Sequence, residues 1–170
     1  MPAKEDGAVS AVSELQVAGA GVVRGAESGG RGAGRWGGTL VQEEEAEAKA
    51  EAERPRPGLT MFTDGSRQED GTTGYAVVWK KGDSWKGIKS HMGSNQEAYD
   101  AECAALARAL EEAAGRDITP ERVTIFSDAQ AAIRRMASDE RGPGQQYALR
   151  ARKHIAALRK AQPSITIEIR

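Results

Sequence analysis

From Leu59 onward the chain switches between stretches of period two and stretches of helical period. Leu59-Thr-Met-Phe-Thr-Asp alternates Thr60, Phe62 and Asp64 against Met61 and Thr63, as a strand does. Its apolar signal stops at Asp64, and Gly65-Ser66 turns the chain. Gly74–Lys80 predicts a second strand, Lys81-Gly82-Asp83 a hairpin loop, and Ser84–Met92 a third strand. In that third strand Trp85, Gly87 and Lys89 share one face, and Lys86, Ile88 and Ser90 the other. Ser94-Asn-Gln-Glu97 has the spacing of a capping box. The helix it introduces runs to about Ala114, is closed by Gly115, and carries Ala98, Ala101, Ala105, Leu106, Ala109, Leu110 and Ala113 as an apolar stripe.

The second half continues the alternation. Val123–Phe126 reads as a short buried strand that ends in Ser127-Asp128, as the first ended in Thr63-Asp64. Ala129–Ser138 predicts a short helix, Gly142-Pro143-Gly144 a break, and Gln145–Ala161 a third helix with Ala148, Ala151, Ile155 and Leu158 on one side. Pro163 stops it, and Ile165–Ile169 is a final strand. The order β-β-β-α-β-α-α-β implies an α/β fold: a mixed five-stranded sheet with helices on its faces. The fourth strand lies parallel to the first through the long-helix crossover. Asp64 and Asp128 then stand toward the carboxyl ends of neighbouring parallel strands, where open α/β sheets place their sites.

Residues 1–57 lack this patterning. Ala8–Val23 is mildly apolar, Gly25–Gly38 is rich in Gly, Arg and Ser, and Glu43–Glu53 is an acidic Glu/Ala run with good helix propensity. Arg54-Pro-Arg-Pro-Gly58 breaks any helix. The segment is expected to be a disordered or low-complexity linker with a transient helix over 42–53, leaving residues 58–170 as the domain. Of the 20 glycines, 11 fall within residues 1–58, which supports that division. Net charge is −1 overall, yet residues 134–170 hold nine basic and three acidic side chains. Such a stretch is either a polyanion-binding surface or a solvated helix face. One cysteine, Cys103, excludes an internal disulfide and points to a reducing compartment. With neither a secretory signal nor a membrane span in the sequence, the expected location is intracellular, in cytoplasm or nucleus.

Three acids then stand out: Asp64 and Asp128 at strand ends, and Glu102 within the apolar stripe of the long helix. Each has a bland reading. Asp128 suits an N-cap, and a helical glutamate at a stripe's edge reaches water. Brought together, three carboxylates repel and do not all stay ionised without cations. Hard divalent ions with oxygen ligands answer that need, and paired ions can activate a water against a phosphodiester. His91 and His154 are far apart in sequence, which gives no zinc pattern.

Thr63-Asp-Gly-Ser66, Ala101-Glu102 within a long helix, and Ser127-Asp-Ala-Gln130 resemble the three successive motifs of type 1 ribonuclease H. Gly74-Tyr-Ala-Val-Val-Trp79 and Asn95-Gln-Glu-Ala-Tyr-Asp-Ala-Glu102 are similar to segments of the RNase H domain that follows reverse transcriptase in fungal non-LTR retrotransposon polyproteins. The resemblance covers about Leu59 to Arg170 and implies an RNase H-like fold. It implies hydrolysis of the RNA strand of an RNA/DNA hybrid, with Asp64, Glu102 and Asp128 as catalytic, metal-holding residues. The ions implied are two Mg²⁺, with Mn²⁺ as a substitute, bridged by Asp64. Gly65 and Ser66 would approach the RNA backbone and its 2′-hydroxyls, and Gln130 the minor groove. The basic third helix, through Arg150 and Lys153, would hold phosphates of the DNA strand. Ala98 and Tyr99 stand where the family often has paired asparagines, so that contact does not carry over. In the family the last strand leads into a Trp-x-Pro-x-His loop and a Gly-Asn-Glu-x-x-Asp segment. The sequence stops at Arg170, before both, and the domain is expected to lack its C-terminal loop and helix.

Two readings of function therefore stand. One is a metal-dependent, retroelement-derived endonuclease acting on RNA/DNA hybrids. The other is a non-catalytic hybrid-binding module, or a pseudogene remnant, that keeps the fold without turnover. Neither calls for a membrane.

Overall fold

The computed structural model describes residues 54–170, together with the backbone of residues 39–40. The Gly/Arg stretch and the helix expected over 42–53 lie outside the described residues. In chain order the elements are β1 (Thr39–Leu40), β2 (Leu59–Arg67), β3 (Thr73–Lys81), β4 (Ser84–Gly93), α1 (Ala98–Ala114), β5 (Arg122–Phe126), α2 (Gln130–Ala137), α3 (Gln145–Ala161) and β6 (Thr166–Ile169). From β2 onward this is the order β-β-β-α-β-α-α-β read from the sequence.

The strands stand in the order β1-β6-β5-β2-β3-β4. The meander β2-β3-β4 is antiparallel, with Asp64 opposite Ala76 and Ala76 opposite Lys89. The pairs β2-β5, β5-β6 and β6-β1 are parallel. The five expected strands make the body of the mixed sheet, and the two residues of β1 add a short edge beside β6.

One face of the sheet carries the main core. Met61, Val77, Val123, Ile125, Ile167 and Ile169 pack there with α1, α2 and α3. Helix α1 is buried on more than the expected stripe, because Cys103, Ala104 and Ala107 are inaccessible as well as Leu106 and Leu110. The sheet lies on one side of α1 and α3 on the other, and a helix with two neighbours has little outer face left. Its small residues suit that position, since alanines let both neighbours come close. The opposite face carries a smaller cluster, Phe62, Val78 and Phe126, with Trp85 against it.

Helix α1 starts later than the capping-box pattern indicated. Its N-cap is Glu97, not Ser94, and Ala98 is exposed rather than part of the apolar stripe. The box forms one turn on: the Glu97 N–H donates to Asp100 Oδ2 at 2.9 Å, and Glu97 also meets Arg67 at 3.3 Å. An acid at both cap and third position closes the same reciprocal pair that Ser94 and Glu97 would have made. The C-terminal end falls at Gly115 as expected.

Candidate metal and active site

Two strand ends and one helix turn build the site. The β2–β5 ladder ends at Phe62 opposite Phe126, so β2 runs on past its neighbour and carries Asp64 beyond it. After Phe126 the chain turns through Ser127, whose N–H donates to the Arg170 carbonyl at 2.9 Å. Asp128 follows at once. Helix α2 takes Ala129 as its N-cap, while Ser127 Oγ accepts from the Ala129 N–H at 3.2 Å. The N-cap reading of Asp128 is thereby displaced, and its carboxylate serves the cluster instead.

Glu102 reaches the same place from α1. A Cβ on Gly65 would lie 2.5 Å from the Glu102 backbone nitrogen and 2.6 Å from the Ala101 carbonyl carbon. Only glycine lets β2 and α1 approach this closely. Gly65 therefore positions one acid against the other; it and Ser66 lie within β2, opposite Tyr75 and Gly74, and not in the turn the sequence suggested, because the hairpin ladder with β3 carries the strand on to Arg67.

Asp64, Glu102 and Asp128 each bring a carboxylate oxygen within 4.8 Å of the other two, and all three are half-buried. Glu102 is only partly open to water: its Oε2 is buried and has no hydrogen-bond partner among the described residues. Burial, then the charges of Asp128 and Asp64, push the Glu102 carboxyl up to about 8, against a weaker opposing hydrogen bond from the Gly65 backbone. Burial also raises Asp128. Desolvation disfavours the ionised form of both Glu102 and Asp128, and like charge adds to it at Glu102. The donor set is all oxygen, with one buried oxygen lacking a partner, and this fits a hard divalent cation. It offers no thiolate or imidazole of the kind zinc prefers.

The other expected site residues distribute unevenly. Gly65 and Ser66 adjoin Asp64 on β2. Gln130 opens α2, its N–H donating to the Asp128 carbonyl at 3.2 Å. Arg150 and Lys153 are exposed on α3, and Arg150 lies over the Tyr147 ring at 5.7 Å. Arg150 lines a cavity of about 300 Å³ with Gln96, Arg108 and Tyr147, which shares Tyr75 and Ser90 with the cleft that Asp64 lines. Arg152 is occupied in the fold, pairing with Asp139 at 2.7 Å and donating to the Ser138 carbonyl at 2.7 Å.

The cleft beside Asp64, about 270 Å³, is lined by Ser66, Tyr75, Lys89, Ser90 and His91 among others. Lys89 and His91 were not singled out from the sequence. Counting register through two hairpins would have found them, since Asp64 pairs with Ala76 and Ala76 with Lys89, while Ser66 pairs with Gly74 and Gly74 with His91.

Two acids at the carboxyl ends of parallel strands and a third from α1 give an open-sheet α/β protein with a carboxylate cluster able to hold a divalent metal ion. The particular family follows from the chain itself: the RNase H family model matches residues 56–162, and the protein belongs to that family. Its fold is similar to RNase H1 of the halophilic archaeon Halobacterium salinarum NRC-1, with 21% identity over 66% of this chain and 83% of that one and a TM-score of 0.47. It is also similar to LC11-RNase H1, solved in complex with an RNA/DNA hybrid, with 20% identity over 66% and 84% and a TM-score of 0.49. The N-terminal RNase H domain of a Mycobacterium tuberculosis protein matches with 18% identity over 66% and 86% and a TM-score of 0.49. No curated protein sequence matches the chain. Among the described residues no helix is long and apolar enough to cross a membrane.

Proposed function

We propose that the protein is a metal-dependent endonuclease that hydrolyses the RNA strand of RNA/DNA hybrids, with Asp64, Glu102 and Asp128 holding two Mg²⁺ ions or Mn²⁺ in their place. The observation that carries this reading is Glu102: a carboxylate held beside two others, with a buried oxygen that has no hydrogen-bond partner among the described residues. Ions of this kind, once bound, supply an activated water and stabilise the leaving oxygen of a phosphodiester. The chain's own contribution is placement. Gly65 holds α1 against β2, the Ser127 hydrogen bonds fix the turn that carries Asp128, and the shared burial keeps the three acids short of water.

Substrate contacts divide by distance from the acids. Gly65, Ser66 and Gln130 adjoin the acids and suit the RNA strand, where a 2′-hydroxyl can be sensed. Arg150 and Lys153 lie on α3 and suit phosphates further along the duplex, which position without reading sequence. Within the family we infer a retroelement origin, supported by the segments Gly74–Trp79 and Asn95–Glu102 that flank the motifs. The test is cleavage of a labelled RNA/DNA hybrid in Mg²⁺ by the full chain. Cleavage abolished by Asp64→Asn supports the reading. Salt-sensitive hybrid binding with no cleavage in either Mg²⁺ or Mn²⁺ replaces it with a binding module.

A further inference from the structure

Two rows of paired residues cross the meander from β2 to β4. Asp64 stands opposite Ala76 and Ala76 opposite Lys89, while Ser66 stands opposite Gly74 and Gly74 opposite His91. Residues paired across strands share a face of the sheet, and so do residues two apart along one strand. The six positions therefore lie on one face. It is the face opposite α1–α3, because Phe62 precedes Asp64 by two residues, Trp85 precedes Lys89 by four, and those two rings meet there at 6.0 Å. The irregularity in the β3–β4 ladder falls between Thr73 and Gly74, just past the His91 row, so both rows stay in phase.

The same six residues line the cleft beside Asp64. Its floor is nearly bare, since Ala76 offers one methyl and Gly74 no side chain at all. A Cβ on Gly74 would stand 2.8 Å from the Ser90 carbonyl oxygen, so close pairing keeps that position empty. The result is a trough two strand spacings wide, about 10 Å. Asp64 and Ser66 form one wall, and Lys89 and His91 form the other. Lys89 and His91 are both exposed, and among the described residues no ion pair or hydrogen bond holds either side chain. Other cations of the domain are committed: Arg67 to Glu97, Arg108 to Glu112, and Arg152 to Asp139. An ammonium and an imidazole N–H facing an acid wall across an open floor suit a strand of phosphates laid between them.

We propose that Lys89, with His91 beside it, holds a phosphate next to the scissile one on the strand being cut, and so keeps that strand seated against the acids. The proposal rests on the nuclease reading above and adds a substrate contact from β4 to it. Edge-strand lysines have a second use, since their charge deters pairing with another chain. Lys86 separates the two uses. It lies on the same edge strand but in the row of Trp79 and Met61, on the face that the helices cover.

The test follows binding and cleavage of one RNA/DNA hybrid by the full chain. Binding is read with Asp64→Asn in every protein, so that the hybrid stays intact. There Lys89→Ala should weaken affinity about tenfold and His91→Ala about threefold, as expected for lost hydrogen bonds to a charged group. Lys89→Ala should also lower the salt slope by about one phosphate. Lys89→Arg and Lys86→Ala should each stay within about twofold of the parent. Neutral methylphosphonates placed one at a time in the RNA strand should locate the contact: one position weakens binding to the parent but not to Lys89→Ala. With Asp64 restored, Lys89→Ala should raise KM and leave kcat nearly unchanged. An effect of Lys89→Ala no larger than that of Lys86→Ala overturns the proposal, and so does a parent that does not bind the hybrid. Self-association of Lys89→Ala with unchanged hybrid affinity also overturns it and makes the lysine an edge guard. Failure of the unaltered chain to cleave overturns the nuclease reading, while the binding measurements still decide whether the trough holds the strand.

Discussion

Glu102 and Leu106 are neighbours one helical turn apart on α1, and they meet opposite conditions. Leu106 is wholly buried among apolar partners from the sheet and from α3. Glu102 is half-buried between two like charges, and its Oε2 has no partner. One turn of the helix stabilises the protein, and the turn before it holds a buried carboxylate that costs stability. The difference teaches that the fold's best-packed element is also the one that holds its least satisfied group in place.

Breaking the site should cost function without costing the fold. Asp64→Asn removes a proposed metal ligand. Since even second-layer partners of a metal site are worth 10–100-fold, cleavage of a hybrid should fall by at least about a hundredfold. Circular dichroism should be unchanged. Breaking the packed turn should do the reverse. Leu106→Ala leaves a cavity beside α3 and the sheet and should destabilise the protein by about 2–5 kcal/mol in denaturant titration, with residual activity in the folded fraction.

Gly65→Ala bears on both the site and the packing. The new methyl meets the backbone of Ala101 and Glu102, which cannot move as a flexible side chain would. Overpacking of this kind costs about 1–3 kcal/mol, and pushing α1 away should also weaken Mg²⁺ binding by calorimetry. A loss of stability with unchanged Mg²⁺ affinity would separate the glycine from the site.

The acid cluster predicts a smaller, pH-dependent effect. The raised Glu102 carboxyl holds its proton more tightly in the folded protein than in the unfolded chain. In metal-free protein, stability should therefore be greatest below the ordinary carboxylate range and fall as pH rises toward about 8. Glu102→Gln should flatten that slope in thermal melts. It should also reduce the rise in Tm that Mg²⁺ gives at pH 8. The smallest effect belongs to Arg150→Ala on the exposed side of α3. Hybrid affinity should fall slightly and the salt dependence of binding should lose about one phosphate contact.

Much of this was legible in the sequence because periodicity is local. The strands from Leu59 and Val123, the helix closed by Gly115 and the helix over 145–161 all emerged within a few residues of their observed ends. The acids stood out because each interrupts an apolar pattern. Local reading failed where neighbours compete: Ser94 looked like the cap, but Glu97 and Asp100 close the box one turn later. It also failed for Lys89 and His91, whose place beside Asp64 depends on the register of two hairpins rather than on any motif.

By itself the sequence determined the order of elements, the α/β class and three anomalous acids, because side-chain period and turn chemistry act over a few residues. Only the tertiary structure decided that these acids meet within 4.8 Å, that Gly65 makes room for Glu102, and that one Glu102 oxygen is buried. Those outcomes depend on how closely a strand and a helix about 36 residues apart can approach, and on what surrounds a carboxylate once they have. Proximity and desolvation are properties of the packed chain, and they turn three ordinary carboxylic acids into one cluster able to hold a cation.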